Sequence, residues 1–373
     1  MWQVYYTPTN IDDALRLLAE HGPEARIIAG GTDLLVELKQ GERTAKVLID
    51  VTRIGGLNRV TLDDGAGGRA GGYGTEAPRV HVGPTVTNNG AVNTDLLTER
   101  GFPLAQACWQ VGTPQLRNRG TIAGNLITAS PANDTIAALW ALDSKLTLSS
   151  VDGERELSFT DFYQGVRETA LAADEMVTDI SFPALGPDQR GTFAKLALRR
   201  VHAISVVNAA VVLSFDGEIV AGARIAMGSV APTVIRAREA ESALVGRRLT
   251  RDSIERAAEL AGRATSCIDD VRSGADYRRE MITVLVRRAL ASLRAGDERE
   301  AFPDTPPMLW GTTKGTYPRL AGKTVCHHWK GLEPIECVIN GENVVVQGAN
   351  DKTLLEMLRQ DLGLTGTKNG CGE

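Results

Sequence analysis

Between Val111 and Asp143 the chain reads VGTPQLRNRGTIAGNLITASPANDTIAALWALD, with glycine, asparagine, threonine and serine spread over a length that should be core. The stretch then runs into an apolar helix. Buried polar groups need partners, so the fold must close around this segment, and a bound polar ligand is the economical partner. Gly120, Gly124 and Asn125 would bring backbone close to such a ligand. Asp134 either accepts hydrogen bonds from ligand hydroxyls or caps a helix.

A second glycine signal lies upstream. Asn10 followed by IDDALRLLAEHG predicts a capped amphipathic helix, with Ile11, Ala14, Leu15 and Leu18 on one face and Gly22 as the stop. The short strand RIIA then enters GGT and DLLVELK, which places Gly30, Gly31 and Thr32 between a strand and a helix. This is not the G-x-G-x-x-G dinucleotide fingerprint. Two readings stay open: a tight strand-to-helix turn, or consecutive glycines whose N–H groups approach an anion closely. KVLIDV and RVHVG read as further strands, joined by DDGAGGRAGGYGTE, which lacks the Lys-Ser/Thr of a phosphate loop and reads as a connection between strands.

Near residue 185, ISFPALGPDQRG marks a boundary. Beyond it two antiparallel strands meet at Asp216-Gly217, and the helices TRDSIERAAELAG and DYRREMITVLVRRALASLRA follow, a compact α+β unit over 190–296. From 297 to 334 prolines and weak periodicity predict a linker, and CHHW at 326–329 belongs to it, since no second Cys or His pair follows at ligand spacing. CVINGENVVV then predicts a hairpin at Asn340-Gly341, and TLLEMLRQDLG a helix ending at Gly363. One hairpin and one helix cannot bury a stable core, so residues 335–373 read as an incomplete domain.

Composition narrows the function classes. The net charge of −5 provides no basic footprint for nucleic acid. The N-terminal sequence MWQVYYTPTNIDD lacks the charge and apolar pattern of a signal peptide, so neither secretion nor membrane insertion is expected. Five scattered cysteines (Cys108, Cys267, Cys326, Cys337, Cys371) fit reduced thiols and a cytoplasmic location.

AGGTDLL together with GTPQLRNRGTIAGNLITASPANDT resembles the paired FAD-binding motifs of the flavoprotein subunits of molybdenum hydroxylases, the xanthine dehydrogenase and carbon monoxide dehydrogenase medium-subunit family. GSVAPTVIRA extends the resemblance through the second unit, and the tail resembles the start of a plant-type ferredoxin domain. The implied fold class is α+β: a two-part FAD-binding domain of the vanillyl-alcohol-oxidase (PCMH) type over 1–186, a flavoprotein C-terminal domain over 190–296, a linker over 297–334 and a truncated β-grasp ferredoxin segment over 335–373.

The resemblance also implies residue roles. Ile27, Ile28, Ala29, Gly30, Gly31, Thr32, Asp33 and Leu34 would wrap FAD, with Gly30, Gly31 and Thr32 on its diphosphate and Asp33 and Leu34 nearer the flavin ring. Val111, Thr121, Gly124, Asn125 and Asp134 would form a second wall, Val177 would pack near the ring, and Lys195 would reach in from the next domain. Ala123 stands where the family usually has glycine, and its methyl would push the backbone outward. With no histidine near Thr32, non-covalent FAD is expected, while His81 and His202 take structural or polar roles. Cys371 would be the first ligand of a C-x4-C-x2-C run for a 2Fe-2S cluster, and a metal ligand only where the rest of that loop is present. The implied function is electron transfer from iron–sulfur clusters through FAD to NAD+ or another acceptor, beside a partner large subunit that carries molybdopterin. Two rivals are a non-catalytic scaffold, which would be colourless, and a self-contained flavin oxidase, whose substrate alone would bleach the flavin.

Overall fold

In a computed structural model the chain is described over residues 2–64, 77–311 and 322–370. Its N-terminal part contains two sheets. Strands β1 (Val4–Thr7), β2 (Ala25–Ile28) and β3 (Val47–Asp50) pair in parallel in the order β1-β3-β2. Helix α1 (Ile11–His21) starts where Asn10 Oδ1 accepts from the Asp13 N–H at 2.8 Å, and stops at Gly22, whose φ of 47° favours a residue without Cβ. Helix α2 (Leu34–Gln40) follows β2 after the glycine pair.

The second sheet is antiparallel. It consists of β4 (Val60–Asp63), β5 (Arg79–Val82), β6 (Lys145–Ser150), β7 (Gly153–Ser158) and β10 (Met176–Pro183), in the order β4-β5-β10-β6-β7, with the small pair β8 (Tyr163–Gly165) and β9 (Glu168–Thr169) before β10. The glycine-rich connection between β4 and β5 lies outside the described residues from 65 to 76, but the strands flanking it pair with each other. Between β5 and β6 the chain forms α3 (Asn88–Val92), α4 (Asp95–Arg100), α5 (Phe102–Gln110), α6 (Pro114–Arg117), α7 (Ile122–Thr128) and α8 (Asp134–Ala141). Leu104, Ile122, Leu126, Ile136 and Leu139 from these helices share a core with Val80, Leu146, Ile180 and Phe182 from the sheet. A further single turn, α9 (Phe159–Phe162), leads into β8.

The third sheet comprises β11 (Gln189–Ala197), β12 (Ser205–Asp216), β13 (Ile219–Gly228) and β14 (Ile235–Arg236), covered by α10 (Arg238–Leu244), α11 (Arg251–Arg263) and α12 (Ala275–Ala295). Strand β12 is buried on both faces, which is why its sequence is almost uninterruptedly apolar. Val207, Ala209, Val211 and Leu213 face the helices, whereas Ala210 and Val212 belong to the core of the N-terminal part. One strand thus joins both cores, and the expected turn at Asp216-Gly217 is present with φ 58° at Gly217.

Part of the segment expected to be a linker forms a strand. Val325–His328, which includes Cys326, His327 and His328 of CHHW, forms β15 and pairs antiparallel with β1. An open edge of β1 offers unpaired backbone groups, and almost any extended segment can satisfy them. Trp329 continues the contact, donating its N–H to Gln3 O at 2.8 Å while its ring meets Trp2 edge-on at 5.0 Å.

The tail forms the expected hairpin, β16 (Ile335–Ile339) with β17 (Glu342–Val346), turning through Asn340 and Gly341 at φ 54° and 89°. The expected helix is α-helical only over its first turn, α13 (Leu354–Glu356), and continues as a π-turn over Met357–Asp361. Its small core is Val346, Ala349 and Met357. Cys371 lies outside the described residues. Among the described residues no helix is long and apolar enough to cross a membrane.

Candidate functional site

The first wall is built by β2. Alternation along the strand sets Ile28 into a cluster with Ala45 and Leu48, while Ile27 and Ala29 pack on the opposite side against the core that includes Ile49 and Leu15. Anchored on both faces, the strand delivers Gly30 to a fixed place. A Cβ built on Gly30 would lie 2.0 Å from the Arg119 carbonyl oxygen and 3.0 Å from Gly120 N, so the two glycine-rich segments touch backbone to backbone. Gly31 follows at φ 70°, and its carbonyl accepts from the Leu35 N–H at 3.2 Å as α2 begins. Thr32 Oγ1 approaches Gly120, lying 3.5 Å from where a Cβ would sit there. Asp33 precedes α2 without a side-chain cap, and Leu34 opens the helix. Solvent reaches the Asp33 side chain, yet surrounding protein raises its pKa by desolvation, with repulsion from Glu37 adding to it.

The second wall is the turn from Thr113 to Asn125. Thr121 Oγ1 caps α7 by accepting from the Gly124 N–H at 3.0 Å. Asn125 turns inward to the protein: its Oδ1 accepts from Thr135 Oγ1, and its carbonyl from Asn133 Nδ2 at 2.6 Å. Val111 ends α5, and its carbonyl accepts from Arg117 at 3.2 Å. Ala123 is 3% exposed in the main core, so its methyl points away from the cradle and the expected outward push does not arise.

Two residues missed in the sequence complete this wall. The Asn88 N–H and Nδ2 both donate to the Gly120 carbonyl, at 3.0 and 2.9 Å. Asn88 Oδ1 is buried and finds no partner among the described residues. A buried acceptor left unpaired is costly, and it sits beside the junction of the two walls. Asn89, fully buried, holds the turn through Pro114 O and Asn118. Only the run of polar residues in TVTNNGAVN signals them, and that pattern reads equally well as a loop.

The other expected site residues are engaged by protein. Asp134 is 5% exposed and lies between the two domains: its carboxylate takes Ser205 Oγ at 2.6 Å, Asn208 Nδ2 at 3.2 Å and Lys195 Nζ at 2.5 Å. Burial raises its pKa, against the opposing pull of Lys195. Lys195 also donates to the Gln110 carbonyl at 3.1 Å. These two residues therefore grip each other rather than lying open to a ligand, because each has its polar atoms engaged by protein. Val177, 2% exposed, pairs with Leu148 and packs in the main core, so its side chain is not part of either wall. His81 contacts Asp179 at 2.7 Å, and the His202 N–H donates to Gly112 O at 3.1 Å.

Backbone that must approach a ligand without side chains, glycines on two facing segments and an unpaired buried acceptor fit the diphosphate and hydroxyls of a dinucleotide. Fold and cradle together define a flavoprotein with an FAD-binding domain followed by a second α+β domain. Residues 1–185 match the family model for the FAD binding domain in molybdopterin dehydrogenase, and residues 192–293 match the CO dehydrogenase flavoprotein C-terminal domain. The chain is 30% identical over 286 residues to the carbon monoxide dehydrogenase medium chain of Hydrogenophaga pseudoflava, covering 77% of this chain and 95% of that one. It is 32% identical over 291 residues to the nicotine 6-hydroxylase medium subunit of Paenarthrobacter nicotinovorans, covering 78% and 97%. The solved carbon monoxide dehydrogenase of H. pseudoflava matches with a TM-score of 0.72 at 30% identity, over 79% of this chain and 98% of that one. Quinoline 2-oxidoreductase from Pseudomonas putida 86 matches with a TM-score of 0.72 at 26% identity, over 80% and 98%. The chain belongs to the family of FAD-binding medium subunits of molybdenum hydroxylases, which are oxidoreductases.

Proposed function

We propose that this chain holds one non-covalent FAD between its two glycine walls and serves as the electron-transfer subunit of a molybdenum hydroxylase, passing electrons from iron–sulfur clusters to NAD+ or another acceptor. The backbone contact between Gly30 and Arg119 carries the reading, since it brings the two glycine segments together where one ligand can lie against both. When bound, FAD can take electrons singly and release them in pairs, which suits a carrier between one-electron and two-electron centres. The chain's own residues bind and orient. Gly30, Gly31 and Thr32 would face the diphosphate, Thr121, Gly124 and Asn125 would shape the opposite wall, and Asn88 Oδ1 would accept from a ligand hydroxyl. Asp134, beside that wall at the start of α8, is braced by Lys195 from the second domain.

The medium subunits of carbon monoxide dehydrogenase and nicotine 6-hydroxylase support the reading that the partner is a large, molybdopterin-binding subunit. We read residues 335–373 as the beginning of a 2Fe-2S domain with Cys371 as one ligand, and the protein as cytoplasmic. The test is the absorption spectrum of the purified chain. Yellow flavin bands that pass into the supernatant on acid precipitation are expected. A colourless protein that takes up no added FAD would reject the function, and colour retained in the pellet would reject non-covalent binding.

A further inference from the structure

Beyond α12 the chain turns back over the N-terminal part as a strap, residues 297–311, that begins with turns over 297–302 and lies outside the regions matched by the family models. Its first half is fastened to α4 and α5. Glu298 O accepts from Gln106 Nε2 at 3.0 Å, Arg299 donates to the Thr98 carbonyl with its guanidinium 4.2 Å from the Phe102 ring centre, and Phe302 meets that ring edge-on at 5.5 Å. The second half reaches the turn that forms the second wall. There the Met308 carbonyl accepts from Asn118 Nδ2 at 2.8 Å and from Asn89 Nδ2 at 3.1 Å, and the Leu309 carbonyl accepts from Asn118 at 3.3 Å.

These contacts belong to a polar cluster in which Asn89 and Arg117 are buried and Asn118 is half-buried. Asn89 Nδ2 also donates to Asn118 Oδ1 at 2.6 Å and lies 3.0 Å from Pro114 O, so its two hydrogens are shared among three acceptors. Asn89 Oδ1 accepts from Arg117 Nε at 2.9 Å. Arg117, 4% exposed, donates to the Trp109 and Val111 carbonyls and stacks 4.4 Å from the centre of the Trp109 ring. The donors here land on the side-chain oxygens of Asn89 and Asn118 and on backbone carbonyls at the end of α5, in the turn and in the strap. A buried network of this kind rigidifies what it touches, and it loosens when one member is lost. Asn118 is also adjacent in sequence to Arg119, whose carbonyl abuts Gly30. The strap therefore fixes the position of the wall at the point where the walls meet.

We propose that residues 297–311 and the cluster Asn89, Arg117 and Asn118 form a positioning device for the FAD cradle, so that strap docking and FAD binding strengthen each other. The proposal rests on the FAD reading above. Coupling between two sites is reciprocal: if the docked strap favours FAD, bound FAD must favour the docked strap. The carbonyls of Met308 and Leu309 need amide donors, so Asn118→Asp, which keeps the shape but cannot donate when ionised, breaks the link at its centre.

Hydrogen exchange on the native full chain, with and without FAD, tests this without any variant. Protection should rise in peptides covering 30–34 and 119–125 and also in 305–311. In parallel, Asn118→Asp should weaken FAD binding about tenfold with unchanged far-UV circular dichroism, Asn118→Gln should recover most of the affinity by restoring an amide, and Asn350→Ala in the tail should bind FAD as the wild type does. FAD-dependent protection at 30–34 and 119–125 with none at 305–311 would overturn the coupling while leaving the FAD site intact. No protection at either cradle segment would instead reject the FAD reading, and this proposal with it. Wild-type affinity in a folded Asn118→Asp chain would also overturn it.

Discussion

Adding one methyl at Gly30 should separate the two walls. In Gly30→Ala the new carbon would lie 2.0 Å from the Arg119 carbonyl oxygen, 2.5 Å from its carbon and 3.0 Å from Gly120 N, all backbone atoms that cannot rotate away. Non-bonded contacts settle near about 3.5 Å, so one wall must retreat by roughly 1.5 Å. Overpacking of this kind costs about 1–3 kcal/mol, which for a domain of this size corresponds to a melting temperature lower by roughly 4–8 °C at 2 kcal/mol. The loss in FAD affinity should be larger in proportion, because a diphosphate held by converging backbone N–H groups tolerates little displacement; a drop of at least about tenfold, or 1.4 kcal/mol, is expected. Gly31→Ala supplies the contrast. There the Cβ meets side-chain rather than backbone atoms, Leu35 Cδ1 at 2.9 Å, Leu35 Cγ at 3.3 Å and Ile28 Cδ1 at 3.4 Å, and the cost is mainly that of φ 70°, about 1–2 kcal/mol. Differential scanning fluorimetry and FAD titration on both variants read the result. A Gly30→Ala protein with wild-type melting temperature and wild-type FAD affinity would refute the contact between the walls.

Other perturbations follow from the same geometry. Gly31→Val adds a branched side chain at positive φ beside the proposed diphosphate position and should abolish stoichiometric FAD, read from the flavin-to-protein absorbance ratio. Asp134→Ala leaves Lys195, only 7% exposed, without its carboxylate and should destabilise by about 3–5 kcal/mol in chemical denaturation, well beyond the effect of Asp143→Ala. The Asp270 carboxyl is raised by burial, but hydrogen bonds and charge from Arg272 and then the charge of Arg278 outweigh this and hold it well below the ordinary range. Its stabilising contribution is therefore complete above the unfolded carboxylate pKa and is lost only as pH falls through the lower folded value. Asp270→Asn should cost about 3 kcal/mol at pH 7, and the gap from wild type should close in strong acid, as measured by urea midpoints.

What could be read from the sequence depended on how local each cause was. Asn10, Gly22 and the Asn340-Gly341 turn are specified by their own side chains and backbone, and each lies where its signal points. Gly30 and Gly31 were legible for the same reason, although the Arg119 carbonyl that makes Gly30 necessary is supplied from elsewhere in the chain. Asn88, Asn89 and Asn118 were illegible because their partners at Gly120, Met308 and Leu309 come together only in the fold. Strand β15 carries no apolar alternation, and the exposed edge of β1 rather than its own sequence makes it a strand. Val177 was assigned to a ligand contact by resemblance, and Asp134 by its place after a polar loop as well as by resemblance. Inward-facing alternation on β10 sends the first into the core, and donors from the second domain engage the second.

The most direct test of the cradle is a crystal structure of the chain grown with FAD. Difference density for the diphosphate should lie against Gly30, Gly31 and Thr32 on one side and the Thr121–Asn125 turn on the other, with a ligand hydroxyl or N–H within hydrogen-bond distance of Asn88 Oδ1. FAD density elsewhere on the molecule, with the Gly30–Arg119 junction unvisited, would contradict the account.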